Sequence, residues 1–475
     1  MSLSFLLRSF AAAALLAGGA LSNAAAATAA AGEPSLTFGL VADTHSGWAR
    51  WEKAVAFWKQ NGATAAVVVG DIIGNPKSAT EYDPAGSRAL AAARAGGLTL
   101  VTAMGNHDIQ SYKDYDRYTA LTGNAPNKHY VVNGYHFISV APGANGATLD
   151  PATGRPSAMA RTNYRYVRAW LRAELEKAVA ADPKRPVFVL VHVPVRGTIY
   201  VSNEWGNAEL GDYAYGAEPC DGKSVFDDFP QAVVFSGHTH IPNNTPRSIW
   251  QRRGGFTAVN APPFAYLEME NGVEGGTVPD DRSRAGQAAL VNVRGGTVTV
   301  RNYDLDAGWI SQTWTFDAGN PADRPYTNAR FAASLPPVWR AGSAITVGAV
   351  THNTARVDFP QARPVTGGPA GDIVHSYRYV VRELAPNGLP VPGAAARDFK
   401  RWSAFYLTPQ PATSGYAIPA LRPDTRYELR VFPINAYGKQ GAEPLTATFA
   451  TGAFHRHCDT HAEAAVRAER AARRR

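Results

Sequence analysis

Short apolar runs alternate with amphipathic segments over the first half of the chain. The apolar runs have the length of buried β-strands and lie at residues 35–42, 65–69 and 98–104. Between the first two, Trp48, Trp51 and Trp58 recur at helical spacing, and an Ala-rich stretch at 88–95 precedes the third, so both intervening segments are predicted helices. Strand, helix, strand, helix, strand is the pattern of a parallel α/β sheet.

More strands and one long helix are predicted downstream. Asn133-Gly134 separates two apolar segments and indicates a β-hairpin, because this pair tolerates the positive φ angles of a type I′ turn. A helix with Val167, Leu171 and Leu175 on one face follows. The remaining strands are predicted at residues 187–191, 232–235, 255–260, 288–293, 297–303 and 310–316. We therefore predict an α/β domain over residues 33–317, completed by a second sheet.

The pattern changes after residue 317. Pro321, Pro325 and Pro336, followed directly by Pro337, indicate a linker at 318–336. The short strands that follow, each bounded by turn signals, are predicted at 344–350, 355–359, 376–382, 402–407, 426–435 and 445–450. The segments from Leu421 to Tyr427 and from Asn435 to Gly438 resemble the tyrosine-corner region of fibronectin type III domains. This resemblance implies an all-β, immunoglobulin-like sandwich for residues 337–452.

Residues 1–31 have the features of an export signal. Arg8 is followed by an apolar stretch at 10–21 that is too short to span a bilayer, and an Ala-rich segment then offers A-x-A cleavage sites. We expect this signal peptide to be removed and the mature protein to be periplasmic or secreted. An uncleaved membrane anchor is the alternative, but no stop-transfer charges follow. Since no other run of eighteen apolar residues occurs, we expect no membrane span in the mature protein.

Composition and charge are those of a globular protein with more than one domain. The chain has 475 residues, of which 45% are apolar and 18% charged, which excludes a fibrous or disordered protein. The formal net charge is +8, but a basic tail at 453–475 with six Arg against three acidic residues, together with Arg8, accounts for half of it. The remaining basic residues are dispersed, which disfavours nucleic acid as a partner.

The chain contains two cysteines, Cys220 and Cys458. In an oxidising compartment they would be able to form one disulfide, and two isolated buried thiols are the alternative. The sequence does not decide between these.

Polar residues follow the predicted strands at the points where the strands end. They comprise Asp43, His45, Asp71, Asn106, His107, His192, His238 and His240. Parallel strands place their C-terminal ends on one edge of a sheet, where α/β folds bind ligands. Carboxylate, amide and imidazole ligands without a thiolate suit divalent Mn, Fe or Zn. Seven ligands from this set of eight residues are too many for one ion and suit two ions that share a carboxylate.

These residues also stand in a recognisable order. The motifs Asp43-x-His45, Gly70-Asp71, Gly105-Asn106-His107-Asp108, His192 and Gly237-His238-x-His240 resemble the complete motif set of the calcineurin-like metallophosphoesterases. The resemblance spans nearly all of residues 35–303. It implies a catalytic domain of two packed β-sheets flanked by helices, an α/β/β/α sandwich.

The resemblance also implies a role for each motif residue. One metal would be held by Asp43, His45 and His240, the other by Asn106, His192 and His238, with Asp71 as the bridging ligand. His107 would bind the phosphate and protonate the leaving oxygen, Asp108 would orient the His107 ring, and Asn106 would contribute to substrate binding. A metal-held hydroxide would attack phosphorus in a small-molecule phosphate mono- or diester.

Two further residues are candidate substrate contacts. Tyr200 lies in the long loop after His192 and could stack on a base or sugar, while Arg247 follows the last motif and could contact a phosphate. The alternatives are packing of the loop on its own domain and an ordinary surface arginine.

The alternative to an enzyme is a non-catalytic binding protein. In that interpretation the phosphoesterase domain is a degenerate scaffold, and the β-sandwich recognises a protein or glycan partner. The intact ligand set disfavours it, and metal analysis of the purified protein would distinguish the two.

Overall fold

A computed structural model describes residues 34–74, 84–109, 113–143, 162–213, 216, 222–279 and 286–454. The predicted signal peptide, the basic tail from residue 455 on and both cysteines lie outside the described residues. The proposed cleavage site and the proposed disulfide therefore stay predictions.

The first sheet has six strands in the order β15-β14-β13-β1-β2-β3. Its strands are β1 (Ser35–Val41), β2 (Ala65–Val69), β3 (Thr99–Ala103), β13 (Gln287–Arg294), β14 (Thr297–Asp304) and β15 (Trp309–Asp317). β1, β2 and β3 are parallel to one another, as the strand and helix alternation predicts, whereas β13, β14 and β15 join as antiparallel neighbours.

The second sheet also has six strands, in the order β11-β12-β10-β6-β5-β4. Its strands are β4 (Lys128–Val132), β5 (Tyr135–Val140), β6 (Val187–Val191), β10 (Ala232–Ser236), β11 (Ile249–Gln251) and β12 (Thr257–Asn260). β4 and β5 form the predicted hairpin, with Asn133 at φ 50° and Gly134 at φ 78° in its turn. The strands β5, β6, β10 and β12 run parallel.

The two sheets face each other across an apolar core. Phe38 of β1 meets Phe137 of β5 and Phe188 of β6 edge-on, with ring centroids 5.4 Å apart in both pairs. Phe188 in turn stacks on Phe235 of β10 at 5.6 Å. All four side chains are fully buried. Interlocked aromatic rings of this kind fix the distance between the sheets and hence the positions of their strand ends.

Helices cover the outer faces of both sheets. They are α1 (Trp48–Gln60), α2 (Pro84–Ala95) and α3 (Lys113–Thr122) on the first sheet and α4 (Arg168–Ala181) on the second. Trp51 and Trp58 of α1 are buried against the sheet, which is the role that their spacing predicts. The catalytic half of the chain is therefore the expected α/β/β/α sandwich.

Part of the long loop after His192 is ordered by its own small sheet. It contains β7 (Val195–Arg196), α5 (Ser202–Trp205), β8 (Asn207–Asp212) and β9 (Lys223–Ser224). Residues 214–215 and 217–221 of this loop lie outside the described part of the chain.

Residues 346–450 form a two-sheet β-sandwich. One sheet is β16 (Thr346–Gly348), β17 (Ala355–Pro360) and β20 (Thr413–Ile418), and the other is β19 (Arg397–Trp402), β18 (Val374–Leu384), β21 (Arg426–Asn435) and β22 (Leu445–Ala450). The Tyr427 hydroxyl accepts a hydrogen bond from the Arg422 backbone N–H at 2.7 Å, which is the expected tyrosine corner. The sandwich is thus of the fibronectin type III kind.

Two expectations for this half of the chain differ from the structure. The strand predicted at residues 402–407 lies earlier in the chain, at Arg397–Trp402. Phe405 and Tyr406 follow its end and pack against Leu267 and Met269 of the catalytic domain. Strand β20 was missed, since its apolar positions alternate weakly with exposed ones.

The segment predicted as a linker lies against the catalytic domain. It includes the short helix α6 (Ala329–Ala333). Arg324 donates to the carbonyl oxygens of Gly255 and Pro230, and Arg330 donates to those of Pro246 and Ile249. The catalytic domain and the sandwich accordingly belong to one compact unit. Among the described residues, no helix has both the length and the apolar character needed to cross a membrane.

Candidate active site

Five parallel strands end at residues of the predicted site. Asp43 and His45 follow β1, Asp71 follows β2, Asn106 follows β3, His192 follows β6, and His238 and His240 follow β10. Because these strands are parallel within each sheet, their C-terminal ends meet at one edge of the domain. The predicted metal ligands are therefore brought together from segments up to 197 residues apart in sequence, the separation of Asp43 and His240.

The first group of side chains comprises Asp43, His45, Asp71 and His240. Their potential ligand atoms all lie within 4.8 Å of one another. The Nε2 atoms of His45 and His240 are 3.3 Å apart, and His240 Nε2 is 3.5 Å from Asp43 Oδ1. Nitrogen and carboxylate atoms this close are suited to share one cation.

The second group is centred on the amide oxygen of Asn106. This Oδ1 atom lies 3.1 Å from His192 Nε2 and 2.9 Å from His238 Nδ1. His192 Nε2 is also 3.1 Å from Asp71 Oδ2. Asp71 therefore belongs to both groups, which is the position of a bridging carboxylate.

Backbone carbonyls determine which ring nitrogens are available. His192 Nδ1 lies 2.8 Å from the Val69 carbonyl oxygen, and His240 Nδ1 lies 3.2 Å from that of Tyr266. A carbonyl oxygen can only accept, so each Nδ1 carries a hydrogen and donates it. In the neutral rings the Nε2 lone pairs then point at the ligand groups, which is the arrangement that metal-binding histidines use.

The donor set fits divalent metal ions. Asp71 Oδ1 accepts the His107 backbone N–H at 2.8 Å, whereas the buried Oδ2 faces His192 Nε2 at 3.1 Å. Two acceptor oxygens, from Asp71 and Asn106, face His192 Nε2. Such an arrangement is stable only with a positive charge between the groups, and either a metal ion or a proton on His192 supplies it.

Asp71 and His192 shift each other's pKa values in the directions that this charge balance requires. Burial alone would raise the pKa of Asp71, but the neighbouring His192 outweighs it and holds that pKa well below its usual range. Burial lowers the pKa of His192, and the Asp71 carboxylate more than reverses this, to about 9. Without a metal, the His192 proton thus takes the place of the cation.

The three other histidine ligands are held in the neutral state that binds metal mainly by burial. Burial lowers the pKa of His45 and of His240 to about 4 each, and that of His238 to about 3. Burial also raises the pKa of Asp43 to about 6. The three rings are therefore neutral at neutral pH, so a metal ion does not have to displace protons from them.

Several ligands have a strained backbone. Asp43, His45, Asp71, His238 and His240 all have positive φ, between 40° and 68°. A non-glycine residue in this left-handed region costs on the order of 1 kcal/mol or more, and such residues cluster at functional sites. Turning these side chains inward at the strand ends therefore lowers the stability of the fold.

Glycines in the motifs make room for the ligands. A Cβ on Gly70 would lie 2.3 Å from His192 Nδ1, and one on Gly105 would lie 2.1 Å from Asp71 Oδ1. Both distances are well inside van der Waals contact. The motif glycines are therefore explained by the close approach of the backbone to Asp71 and His192.

His107 is one of the partly exposed residues of the motif set. Its side chain is 32% exposed, and its Nε2 lies 4.0 Å from Asp71 Oδ2. The ring meets the His45 ring edge-on, with centroids 4.9 Å apart. It thus lies beside the ligand groups rather than within them, as the role of a substrate-contacting residue requires.

Asp108 does not make the contact predicted for it. Its two carboxylate oxygens accept the backbone N–H groups of Ile73 and Gly105, at 3.0 and 2.8 Å. The Nδ1 atom of the His107 ring is buried and has no hydrogen-bond partner. In this structure Asp108 therefore fixes the loop that carries His107 and does not orient the ring directly.

Tyr200 and Arg247 are not placed to bind substrate, which corrects that expectation. Tyr200 is buried and Arg247 is partly buried between the catalytic domain and the sandwich, where the Tyr200 hydroxyl lies 2.6 Å from His375 Nε2. Arg247 lies over the Tyr200 ring at 4.3 Å and donates to the Ala436 carbonyl oxygen at 2.8 Å. An aromatic residue in a long loop was read as ligand-facing, but burial of an apolar ring against a second domain is the stronger driving force.

One site residue was missed. The Tyr266 ring stacks on the His240 ring with centroids 4.1 Å apart and an interplanar angle of 22°. Tyr266 follows β12, which is parallel to β10 and therefore also ends at the active-site edge. The strand predicted at 255–260 was the available signal for Tyr266. The residues after this strand lie at the same edge of the sheet as the residues after β10.

Known proteins resemble the chain in two separate parts. Residues 36–242 match the family model described as calcineurin-like phosphoesterase. A search of curated proteins gave no match.

Solved structures resemble both halves of the chain. A dimetal phosphatase from Danio rerio is 12% identical, covering 60% of this chain and 100% of its own, with a TM-score of 0.40. The FN3 domain of human collagen XX is 20% identical over 25% of this chain and 92% of its own, with a TM-score of 0.17. The FN5 domain of Drosophila Lar is 14% identical over 26% and 99%, with a TM-score of 0.16.

The family match runs from the start of β1 to just beyond His240, so it contains every predicted metal ligand. The chain therefore contains a calcineurin-like phosphoesterase domain at residues 36–242, and a fibronectin type III-like β-sandwich follows it.

Proposed function

We propose that the protein is an exported dinuclear metalloenzyme that hydrolyses phosphate mono- or diesters of small molecules. The observation that carries this proposal is the buried Asp71 Oδ2, which lies between two groups of potential ligands, 3.9 Å from His45 Nε2 and 3.1 Å from His192 Nε2. Two divalent ions bound there would supply an activated water and neutralise charge on the phosphoryl oxygens.

The side chains divide between the two positions according to their contacts. Asp43, His45 and His240 would hold one ion, and Asn106, His192 and His238 would hold the other. Asp71 approaches members of both groups and would be shared. Mn, Fe and Zn all accept this mixture of oxygen and imidazole nitrogen ligands.

His107 has the position needed to act on the leaving group. It lies at the accessible side of the cluster, and the bond from its backbone N–H to Asp71 Oδ1 fixes its distance from the ligands. In the proposed reaction a water molecule gives up one proton to solvent as its oxygen bonds to phosphorus, the bond from phosphorus to the leaving oxygen breaks, and His107 Nε2 gives its proton to that oxygen. Imidazole is the side chain most often used for such a proton transfer.

Export and the nature of the substrate are supported only by the sequence. The first 31 residues have the features of a signal peptide. The dispersed basic residues favour a small phosphate ester over nucleic acid. A protein or glycan that binds the β-sandwich would be a partner in the same compartment.

Hydrolysis of two model substrates tests the proposal. Metal-free protein would be reconstituted with Mn or Zn and assayed with p-nitrophenyl phosphate and bis(p-nitrophenyl) phosphate, followed by nucleotides and sugar phosphates. Turnover that requires the metal supports a phosphoesterase, and the preferred substrate assigns it to mono- or diesters. A protein that binds metal but hydrolyses none of them would contradict the proposal and favour the binding scaffold.

A further inference from the structure

One segment connects the metal-ligand cluster to the β-sandwich. This segment, residues 261–279, follows β12 and is named the strap. Its first part is attached at the end of β1, since Pro263 forms a β-bridge with Ala42 and the Ala265 backbone N–H donates to the Asp43 carbonyl oxygen at 3.1 Å. The strap therefore begins on the backbone of a predicted metal ligand.

The strap then holds His240 from two sides. The Tyr266 carbonyl oxygen accepts from His240 Nδ1 at 3.2 Å, and the Tyr266 ring stacks on the imidazole at 4.1 Å. Two residues on, the Glu268 backbone N–H donates to the His240 carbonyl oxygen at 3.0 Å. The tautomer and the ring plane of His240 are thus both set by the strap.

The middle of the strap is buried against the sandwich. Leu267 and Met269 are fully buried in a small apolar cluster with Phe405 and Tyr406. These two aromatic residues lie in the segment after β19. Their packing holds the strap at the position directly next to Tyr266.

Glu274 fastens the far end of the strap. Its backbone N–H donates to the Lys400 carbonyl oxygen at 2.9 Å, and its own carbonyl oxygen accepts from Arg401. Its carboxylate accepts from Arg397 at 2.6 Å and from the Tyr416 hydroxyl at 2.5 Å. Four residues of the sandwich therefore bind one residue of the catalytic domain.

We propose that Tyr266 is a positioning residue for His240 and that the β-sandwich, through Glu274, keeps Tyr266 in place. The sandwich then supports the metal position of Asp43, His45 and His240. This inference rests on the proposed function in one respect, which is that these side chains hold a metal ion. It assigns the sandwich a part in the catalytic centre in addition to any partner it binds.

Variants of Tyr266 test the positioning role through metal affinity. Chelator competition would measure the two dissociation constants in wild type, Tyr266→Phe and Tyr266→Ala. Losing the stacked ring should weaken the binding of one ion by about 10-fold or more, which is within the range for residues that orient a metal ligand. The dissociation constant of the other ion should stay within about 2-fold of wild type. The phenylalanine variant keeps the ring and the backbone carbonyl, so both constants should stay within about 2-fold of wild type.

Tyr303→Ala is the matched control for loss of an aromatic ring. Tyr303 lies on β14 and packs on Phe57 of α1 with centroids 4.8 Å apart. If Tyr303→Ala and Tyr266→Ala weakened metal binding equally, or if Tyr266→Ala kept the wild-type metal affinity, the positioning role of Tyr266 would be overturned.

Glu274→Ala tests the connection at a distance from the ligands. In metal-free protein, hydrogen–deuterium exchange of the peptide that contains His238 and His240 should become faster, and in reconstituted protein the same single ion should bind about 3-fold to 10-fold more weakly. Asp398→Asn is the control, because Asp398 pairs with Arg378 within the sandwich. Wild-type exchange and affinity in Glu274→Ala, or equal changes in Asp398→Asn, would contradict the connection.

The exchange measurement separates the two proposals. If wild-type protein binds no metal, the proposed function fails, but exchange at His238 and His240 still reports whether the strap holds this segment. If wild-type protein binds two ions and Glu274→Ala changes neither exchange nor affinity, only the strap inference fails.

Discussion

Asp71 Oδ2 lies 3.1 Å from His192 Nε2, and both side chains are almost completely removed from solvent. Asp71 and His192 follow strands of different sheets, β2 and β6. The pair therefore joins the two halves of the α/β/β/α sandwich at the point where a positive charge is required. A proton meets that requirement in metal-free protein, and metal ions would meet it in the active enzyme.

Replacing Asp71 by Asn should remove the shared ligand. The amide keeps the size of the side chain and its acceptor for the His107 N–H but loses the negative charge. We expect metal content to fall from about two ions per chain to about one or fewer, and turnover to fall by about 100-fold or more. Elemental analysis and a p-nitrophenyl phosphate assay check both, with Asp358→Asn in the sandwich as the control. Full metal content in Asp71→Asn would show that Asp71 is not a ligand.

Replacing His107 by Asn should separate catalysis from metal binding. His107 lies beside the ligand groups, so we expect the variant to retain both ions. Loss of the proton donor should lower kcat by about 10²-fold to 10⁴-fold, which is the usual contribution of general acid catalysis. The fall in kcat should be smaller for a substrate with a good leaving group, because its leaving oxygen needs less assistance from a proton. An equal loss for good and poor leaving groups would argue against proton donation by His107.

The motif glycines should not tolerate a methyl group. In Gly105→Ala the new Cβ would lie 2.1 Å from Asp71 Oδ1, so either the loop or the carboxylate must move. We expect weaker metal binding and at least a tenfold loss of turnover. Gly348→Ala is the matched control, since no atom lies within 4 Å of a Cβ at that position. Wild-type metal affinity in Gly105→Ala would mean that the close approach of this loop to Asp71 is not needed.

His375 should make the stability of the protein depend on pH. Burial lowers the pKa of His375 to about 3 in the folded protein, against an ordinary value of 6.5 for histidine. Below pH 6.5 the unfolded chain takes up a proton that the folded ring does not, so stability is complete above that pH and is lost as the pH falls. The loss amounts to at most about 1.4 kcal/mol per pH unit.

His375→Gln should remove this contribution while keeping an acceptor for the Tyr200 hydroxyl. Urea unfolding at about pH 7 and about pH 5 would measure the stability change in both proteins. We expect the variant to lose about 2 kcal/mol less than wild type over this interval. The same pH dependence in both proteins would mean that His375 can be protonated in the folded state.

The catalytic core could be predicted from the sequence because its signals are local. Buried strands such as β2 appear as unbroken apolar runs, and each is followed directly by its polar residue, as Asp71 follows Val69 and Gly70. Parallel pairing then brings the strand ends together without any knowledge of side-chain packing. The tyrosine corner at Tyr427 was visible for the same reason, since its turn and its strand are adjacent in the chain.

The contacts between the domains could not be predicted from local patterns. Tyr200, Arg247 and Tyr266 are all polar or aromatic residues after strands, and nothing in their spacing distinguishes a ring packed on a distant domain from one facing a ligand. The difference comes from residues such as His375, which lies 175 positions from Tyr200. Asp108 shows the same limit, because the partners of a buried carboxylate depend on how its loop folds back.

Anomalous diffraction from crystals of protein reconstituted with Zn or Mn tests the central claim most directly. We predict two anomalous peaks in the site, one among Asp43, His45 and His240 and one among Asn106, His192 and His238, with Asp71 between them. A single peak, or peaks that lie away from Asp71, would contradict the dinuclear site on which the proposed phosphoesterase activity depends.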